Sequence, residues 1–154
     1  MRVALGSDHV GFDLKQLVLG WLAERHLEVL DMSPGTFDPT DDYPDFARRV
    51  AEAVARGDAD YGIAICSTGQ GSCMAANKVK GIRAALCHGI LCARLSKLHN
   101  DANVLCLGSN IVGPLLAREI VDAWLAESFS TEERHRRRVA KIAEIESDSG
   151  EGPE

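Results

Sequence analysis

The sequence predicts an α/β fold in which helices cover both faces of a five-stranded parallel sheet. Two observations predict it. Short apolar runs alternate with stretches of helical period along the whole chain, and strands joined through helices pair in parallel. One apolar run, Tyr61–Cys66, breaks into the turn Ser67-Thr-Gly-Gln-Gly71 and passes straight into a helical stretch. That strand–turn–helix join is typical of a doubly wound sheet.

Residues 2–6 form a short apolar strand. Helical spacing follows over 13–25, with Leu14, Leu17, Val18, Trp21 and Leu22 as its apolar stripe. Residues 27–31 read as a second strand and 32–43 as a loop rich in Pro, Gly, Asp and Thr. Pro44 suits the first turn of a helix, which Phe46, Val50, Ala51 and Val54 carry to a stop at Gly57. Strands are expected at 61–66, 83–87 and 104–108, with a helix near 89–98 between the last two. A helix over 111–128 shows a face of Leu115, Ile120 and Trp124. A last helix runs over 131–146, with Thr131 as its candidate N-cap. The common strand order 2-1-3-4-5 puts the loops after strands 1 and 3 beside the switch point, where ligands bind. Asp8, His9, Cys66 and Thr68 then share one crevice.

The 154 residues favour one domain over 1–146, with 147–154 as a disordered tail. Apolar residues make up 45% and charged residues 26%, as in soluble globular chains. A formal net charge of −6 disfavours a nucleic-acid face and attraction to anionic membranes. The N-terminus runs into Arg2-Val-Ala-Leu-Gly6, too short for a signal segment, and no apolar run approaches the roughly 18 residues of a membrane span. The five cysteines include no CxxC pair, which argues against zinc and fits reduced thiols in the cytoplasm.

The chemistry concentrates near Cys66. Gly69-Gln-Gly71 lacks the third glycine of a dinucleotide fingerprint, and no ribose-binding acid stands about 20 residues on. A tight turn alone accounts for the glycines; the favoured reading is a nest of N–H donors for an oxyanion or a phosphate. Cys66 is either a small core residue or a thiol beside a helix N-terminus, which favours the thiolate. His9 follows Asp8 at the end of strand 1 and reads as a solvated loop histidine or as a group of the crevice. His99 reads as a cation at a helix C-terminus or as a catalytic group. His26 and His88 read as structural or surface groups, and Tyr43 as a packing residue. The run Arg134-His-Arg-Arg-Arg138 is an exposed helix face, yet Arg134 and Arg138, four apart, can grip a phosphate together.

Six stretches occur in order: Gly6-Ser-Asp-His-Val-Gly11, Asp42-Tyr-Pro-Asp-Phe46, Cys66-Ser-Thr-Gly-Gln-Gly71, Ala75-Ala-Asn-Lys78, His99-Asn-Asp-Ala-Asn-Val104 and Arg134-His-x-x-Arg138. Together they resemble the type B ribose-5-phosphate isomerases, a family shared with bacterial galactose-6-phosphate isomerases. The resemblance covers 1–146. It implies a Rossmann-like three-layer α/β/α domain, a homodimer or dimer of dimers with shared active sites, and no metal or organic cofactor. It implies reversible isomerisation of ribose 5-phosphate and ribulose 5-phosphate. Cys66 matches the catalytic base and His99 the group that opens the sugar ring. Ser67, Thr68, Gly69, Gln70 and Gly71 match the loop that holds the enediolate. Asp8, His9, Tyr43 and Asn100 fall at substrate-contacting positions. Arg134 and Arg138 match phosphate ligands that reach into the partner subunit's site.

Some positions depart from the family pattern. Asn110 stands where these enzymes usually carry an arginine for the phosphate, which opens the alternative of another sugar: a hexose 6-phosphate, a tetrose phosphate or an unphosphorylated aldose. Ser7 replaces a frequent cysteine, Ser67 a frequent glycine and Gln70 an aliphatic residue. Some relatives use a glutamate where this chain has Ser72, so Cys66 keeps the role of base. A non-catalytic module binding a nucleotide or flavin is the reading from a different class.

Overall fold

The computed structural model describes residues 1–33 and 35–148. The described residues form five strands and six helices, alternating except that the last two helices are consecutive: β1 (Arg2–Ser7), α1 (Phe12–Glu24), β2 (Glu28–Asp31), α2 (Tyr43–Ala55), β3 (Tyr61–Cys66), α3 (Gln70–Ala76), β4 (Ala84–Leu86), α4 (Ile90–Asn100), β5 (Val104–Gly108), α5 (Pro114–Ala126) and α6 (Glu133–Asp148). All strands pair in parallel.

Alternation along the strands divides the core in two. Val3, Leu5, Ile63, Ile65, Leu105 and Leu107 face α1, α4 and α5, where Trp21, Ile120 and Trp124 pack against them. The other face carries Ala4, Ala64, Val104 and Cys106 under α2 and α3. It is lined by small side chains because α2 comes very close: a Cβ on Gly62 would stand 2.6 Å from a Val50 methyl.

The strand order is β2-β1-β3-β5-β4, which corrects the expected 2-1-3-4-5. β5 is buried at all five positions, whereas β4 has three half-buried residues. A short strand suits a sheet edge and a fully apolar one the interior. The switch point between β1 and β3 is unchanged, but β5 rather than β4 now lies beside Cys66.

Two stripe residues and both ends of the last helix also differ. Leu17 is 42% exposed, since α1 buries Leu14, Val18, Trp21 and Leu22. Leu115 is 86% exposed. α5 buries Ala117, Ile120, Val121 and Trp124, and a residue two positions before Ala117 points roughly 160° away from that stripe. α6 begins at Glu133, so Thr131 is not its N-cap; the Glu132 N–H instead bonds the Ser130 hydroxyl. α6 also runs through residues 147 and 148, which the sequence assigned to a tail; the rest of that tail lies outside the described residues.

Candidate active site

The carboxyl ends of β1 and β3 open at the switch point, and Cys66 is the last residue of β3. It is 3% exposed yet belongs to neither apolar cluster. Its Sγ accepts a hydrogen bond from the Gly69 N–H at 3.2 Å. The loop can fold back over the sulfur because Gly69 adopts φ +75°, a left-handed conformation that costs glycine little. A side chain there would also meet Leu86 at 2.5 Å and the Leu107 carbonyl carbon at 2.8 Å. Thr68 Oγ1 accepts from the Gln70 N–H at 3.4 Å. Tyr43 lies against Gly71, where a Cβ would stand 2.5 Å from its ring.

The segment after β5 laces this loop. The Ser109 N–H donates to the Cys66 carbonyl at 2.9 Å and the Asn110 N–H to the Ser67 carbonyl at 3.0 Å. Asn110 Nδ2 donates to Ser67 Oγ at 3.0 Å. Two residues that depart from the family pattern are therefore bonded to each other. His88, read from sequence as structural or surface, sits with Nε2 3.2 Å from the Thr68 carbonyl.

Asp8 and His9 complete this edge. Buried Asp8 accepts the Gly11 N–H at 2.9 Å, and burial pushes its carboxyl pKa up against that bond. His9 Nδ1 stands 2.7 Å from Asp41 Oδ1, and the hydrogen bond to that carboxylate raises the imidazole pKa. A cavity of about 220 Å³ opens beside them, lined by Ser7, Asp8, Asp41, Phe46 and Arg49 among others.

Two supporting residues escaped the sequence reading. Asp41, in a loop of many acids, carried no signal. Lys15 is fully buried on α1, with Nζ 3.0 Å from both Asp31 oxygens and 2.6 Å from the Ser33 carbonyl. Ser33 Oγ in turn accepts the Ser7 N–H at 3.1 Å. This network pins the loop after β2 behind the residue preceding Asp8.

His99, Asn100, Arg134 and Arg138 lie elsewhere. α4 starts beyond the carboxyl end of β4 and runs back to the start of β5. Its end is tied there by Arg83, whose Nε donates to the Asn100 carbonyl at 3.1 Å and whose N–H donates to Asn103 Oδ1 at 2.8 Å. Gly108, at the far end of β5, pairs with Cys66. At roughly 3.3 Å per residue, five strand residues separate the two clusters by roughly 16 Å. The His99 ring stacks on His135 of α6 at 4.3 Å between centroids. Arg134 and Arg138 are exposed on the same helix, Arg134 beside Glu132 at 2.7 Å. A second cavity, about 300 Å³, includes Asn100 and Arg83 in its lining but neither Cys66 nor Asp8. One chain thus holds two separate clusters. The first offers a thiol and amide donors; the second offers an imidazole and two guanidinium groups.

A family model described as Ribose/Galactose Isomerase matches residues 3–142. The chain belongs to the ribose/galactose isomerase family. It is 49% identical over 145 residues to ribose-5-phosphate isomerase B of Escherichia coli, covering 94% of this chain and 96% of that one. It is 42% identical over 132 residues to a D-erythrulose-4-phosphate isomerase of Pectobacterium atrosepticum, covering 84% of this chain and 85% of the relative. The crystal structure of ribose-5-phosphate isomerase B from Mycoplasma genitalium with bound ribulose 5-phosphate superposes with a TM-score of 0.90 at 45% identity, covering 95% of this chain and 96% of the other. Like these relatives, the protein is an isomerase, and the Rossmann-like α/β/α fold expected of the family is the one observed. Among the described residues, no group of three or more His, Cys, Asp or Glu is arranged to hold a metal ion, and no helix is long and apolar enough to cross a membrane.

Proposed function

We propose that this family member interconverts ribose 5-phosphate and ribulose 5-phosphate in the cytoplasm, without a cofactor, in sites shared between two copies of the chain. The observation that carries the reading is the Cys66 thiol held under the Gly69 N–H at the switch point. The reaction moves one proton between adjacent carbons, so a single base removes it from C2 and returns it to C1. Negative charge builds on the enediolate oxygens, and the N–H groups of the Ser67–Gly71 loop meet it without reorganisation. Asp8, His9 and Tyr43 border the same opening and contact the sugar.

A closed aldose must open first. The bond from C1 to the ring oxygen breaks, the ring oxygen takes a proton, and the C1 hydroxyl loses one to become the aldehyde. We assign the donated proton to His99, with Asn100 on a sugar hydroxyl and Arg134 and Arg138 on the phosphate. These four groups reach a Cys66 only in a homodimer or a dimer of dimers, where the second cluster of one copy faces the first cluster of its partner. The five free cysteines suit a reducing compartment.

Mixing variants tests the shared site. Cys66→Ala and His99→Asn should each lose most activity on ribose 5-phosphate. Reassociated together, half of the dimers pair unlike chains, and each of those holds one intact site of two. About a quarter of wild-type activity should return. No recovery would place both groups in one chain's site or remove one from the reaction.

The Asn110–Ser67 bond favours a second reading on another sugar phosphate, because this position offers a neutral donor instead of a cation. A panel of aldose phosphates decides between them. Asn110→Arg should shift the preference; unchanged kinetics would strip the position of any role in specificity.

A further inference from the structure

The basic run on α6 hides one residue that is not on the surface. His135 is 4% exposed while Arg134, Arg136, Arg137 and Arg138 are all exposed. Its ring lies flat on His99, with centroids 4.3 Å apart and planes inclined by 4°. His135 Nε2 is buried without a hydrogen-bond partner. Among the described residues, neither ring nitrogen of His99 is hydrogen-bonded.

An orphaned buried nitrogen costs stability. A phenylalanine would fill the same space without that cost, so packing alone does not explain a histidine here. Two further facts bear on it. His99 sits on the last turn of α4 with no hydrogen bond to fix its ring, although proton transfer needs a defined direction. The charged groups around His135 are Arg134 and Arg138 on α6, Glu132 just before it and His99 on α4; burial first, then His99, push its pKa down. Both effects favour the neutral form of the His135 ring.

We propose that His135 is a positioning residue: by stacking, it fixes the plane of the His99 ring from which a proton reaches the ring oxygen of the closed aldose phosphate. The inference rests on the assignment of His99 to ring opening. It leaves proton transfer at the sulfur alone.

Two reactions separate these steps. Isomerisation of ribose 5-phosphate needs ring opening. Deuterium exchange at C1 of ribulose 5-phosphate in D2O does not. The C5 oxygen of that ketose carries the phosphate and cannot close a furanose, so exchange reports enolisation by the base alone. His135→Ala should lower the rate of isomerisation by about three- to tenfold, the worth of a stacked ring pair, and leave exchange unchanged. His135→Phe keeps a flat ring, removes the orphaned nitrogen, and should restore most of the isomerisation rate with a higher melting temperature. Equal losses of both reactions in His135→Ala would mean general damage and overturn the proposal. So would no loss at all, or a failure of His135→Phe to restore the rate. His99→Asn is the control on the underlying assignment. If it leaves the ratio of isomerisation to exchange unchanged, the role of His99 is wrong. If it lowers that ratio and the His135 variants do not, only the present inference fails.

Discussion

Gly108→Ala places one methyl group where it reaches the reaction without touching it. Gly108 ends β5 opposite Cys66. An added Cβ would stand 2.6 Å from both the carbonyl carbon and oxygen of Thr68, and 2.9 Å from its Cα, whereas ordinary contact begins at 3.4 Å. The loop must retreat by about 0.8 Å, because backbone atoms have no rotamer to yield. The Gly69 N–H follows, and its 3.2 Å bond to the Cys66 sulfur stretches towards 4 Å. Overpacking of this kind costs about 1–3 kcal/mol, which a fold worth about 5–15 kcal/mol survives. The kinetic effect is larger. A displacement of 1 Å in a catalytic group costs about 10²-fold, and loss of an oxyanion donor costs about 10²–10³. The variant should therefore melt a few degrees lower and turn over about 10²–10³ times more slowly. Initial rates of ketose formation from ribose 5-phosphate, followed by NMR beside a thermal melt, give both numbers. A lowered melting temperature with wild-type kcat would refute the reasoning, since the loop would have moved without the chemistry responding.

Three more perturbations follow from the same geometry. Cys66→Ala should lower kcat by at least about 10² while circular dichroism and melting stay near wild type; retained turnover would remove the thiol from the reaction. Lys15→Met strands Asp31 and the Ser33 carbonyl, and urea midpoints should show a loss of about 3 kcal/mol. That figure is the low end for a broken buried pair, because the Asp31 side chain is 33% exposed and water takes over part of its solvation. The His9–Asp41 bond raises the folded-state pKa of His9, so its contribution is complete below the unfolded value of about 6.5 and disappears as pH rises through the raised value. Asp41→Asn should therefore destabilise the protein more at pH 6 than at pH 9, and NMR titration should show the His9 pKa falling back towards its ordinary value. Equal destabilisation at both pH values would break the link.

The sequence exposed the elements that carry dense apolar signal. β3 and β5 begin and end where their runs do, because every position is apolar or small. Lateral order was not legible: hydropathy reports which face a residue takes and says nothing of which strand lies alongside. That is why the lacing of the Cys66 loop by Ser109 and Asn110 appeared only in three dimensions. Leu17 misled because it lies at the margin of the α1 stripe, and Leu115 because an apolar residue on the far side of α5 has the same hydropathy as a member of the stripe. The first cluster could be foreseen because a switch point follows from strand alternation. The position of His99 behind the sheet follows from the direction of α4, which helical period does not encode. Lys15 and Asp41 stayed hidden because each is defined by its partner. His135 stayed hidden inside a charged run, where one buried turn position leaves no mark on composition.

The unequal flanks of the sheet set opposite rules for how this sequence can drift. Beneath α2, where Ala4, Gly62 and Ala64 already sit against Val50 and its neighbours, volume can scarcely be added without prising a helix away. Beneath α1 and α5, where Ile63, Leu105 and Trp124 fill the space, volume can scarcely be removed without opening a void. Substitutions that survive should therefore be trimmed in one direction on each side, and a matched pair, one residue growing as its neighbour shrinks, is the cheapest route across either boundary.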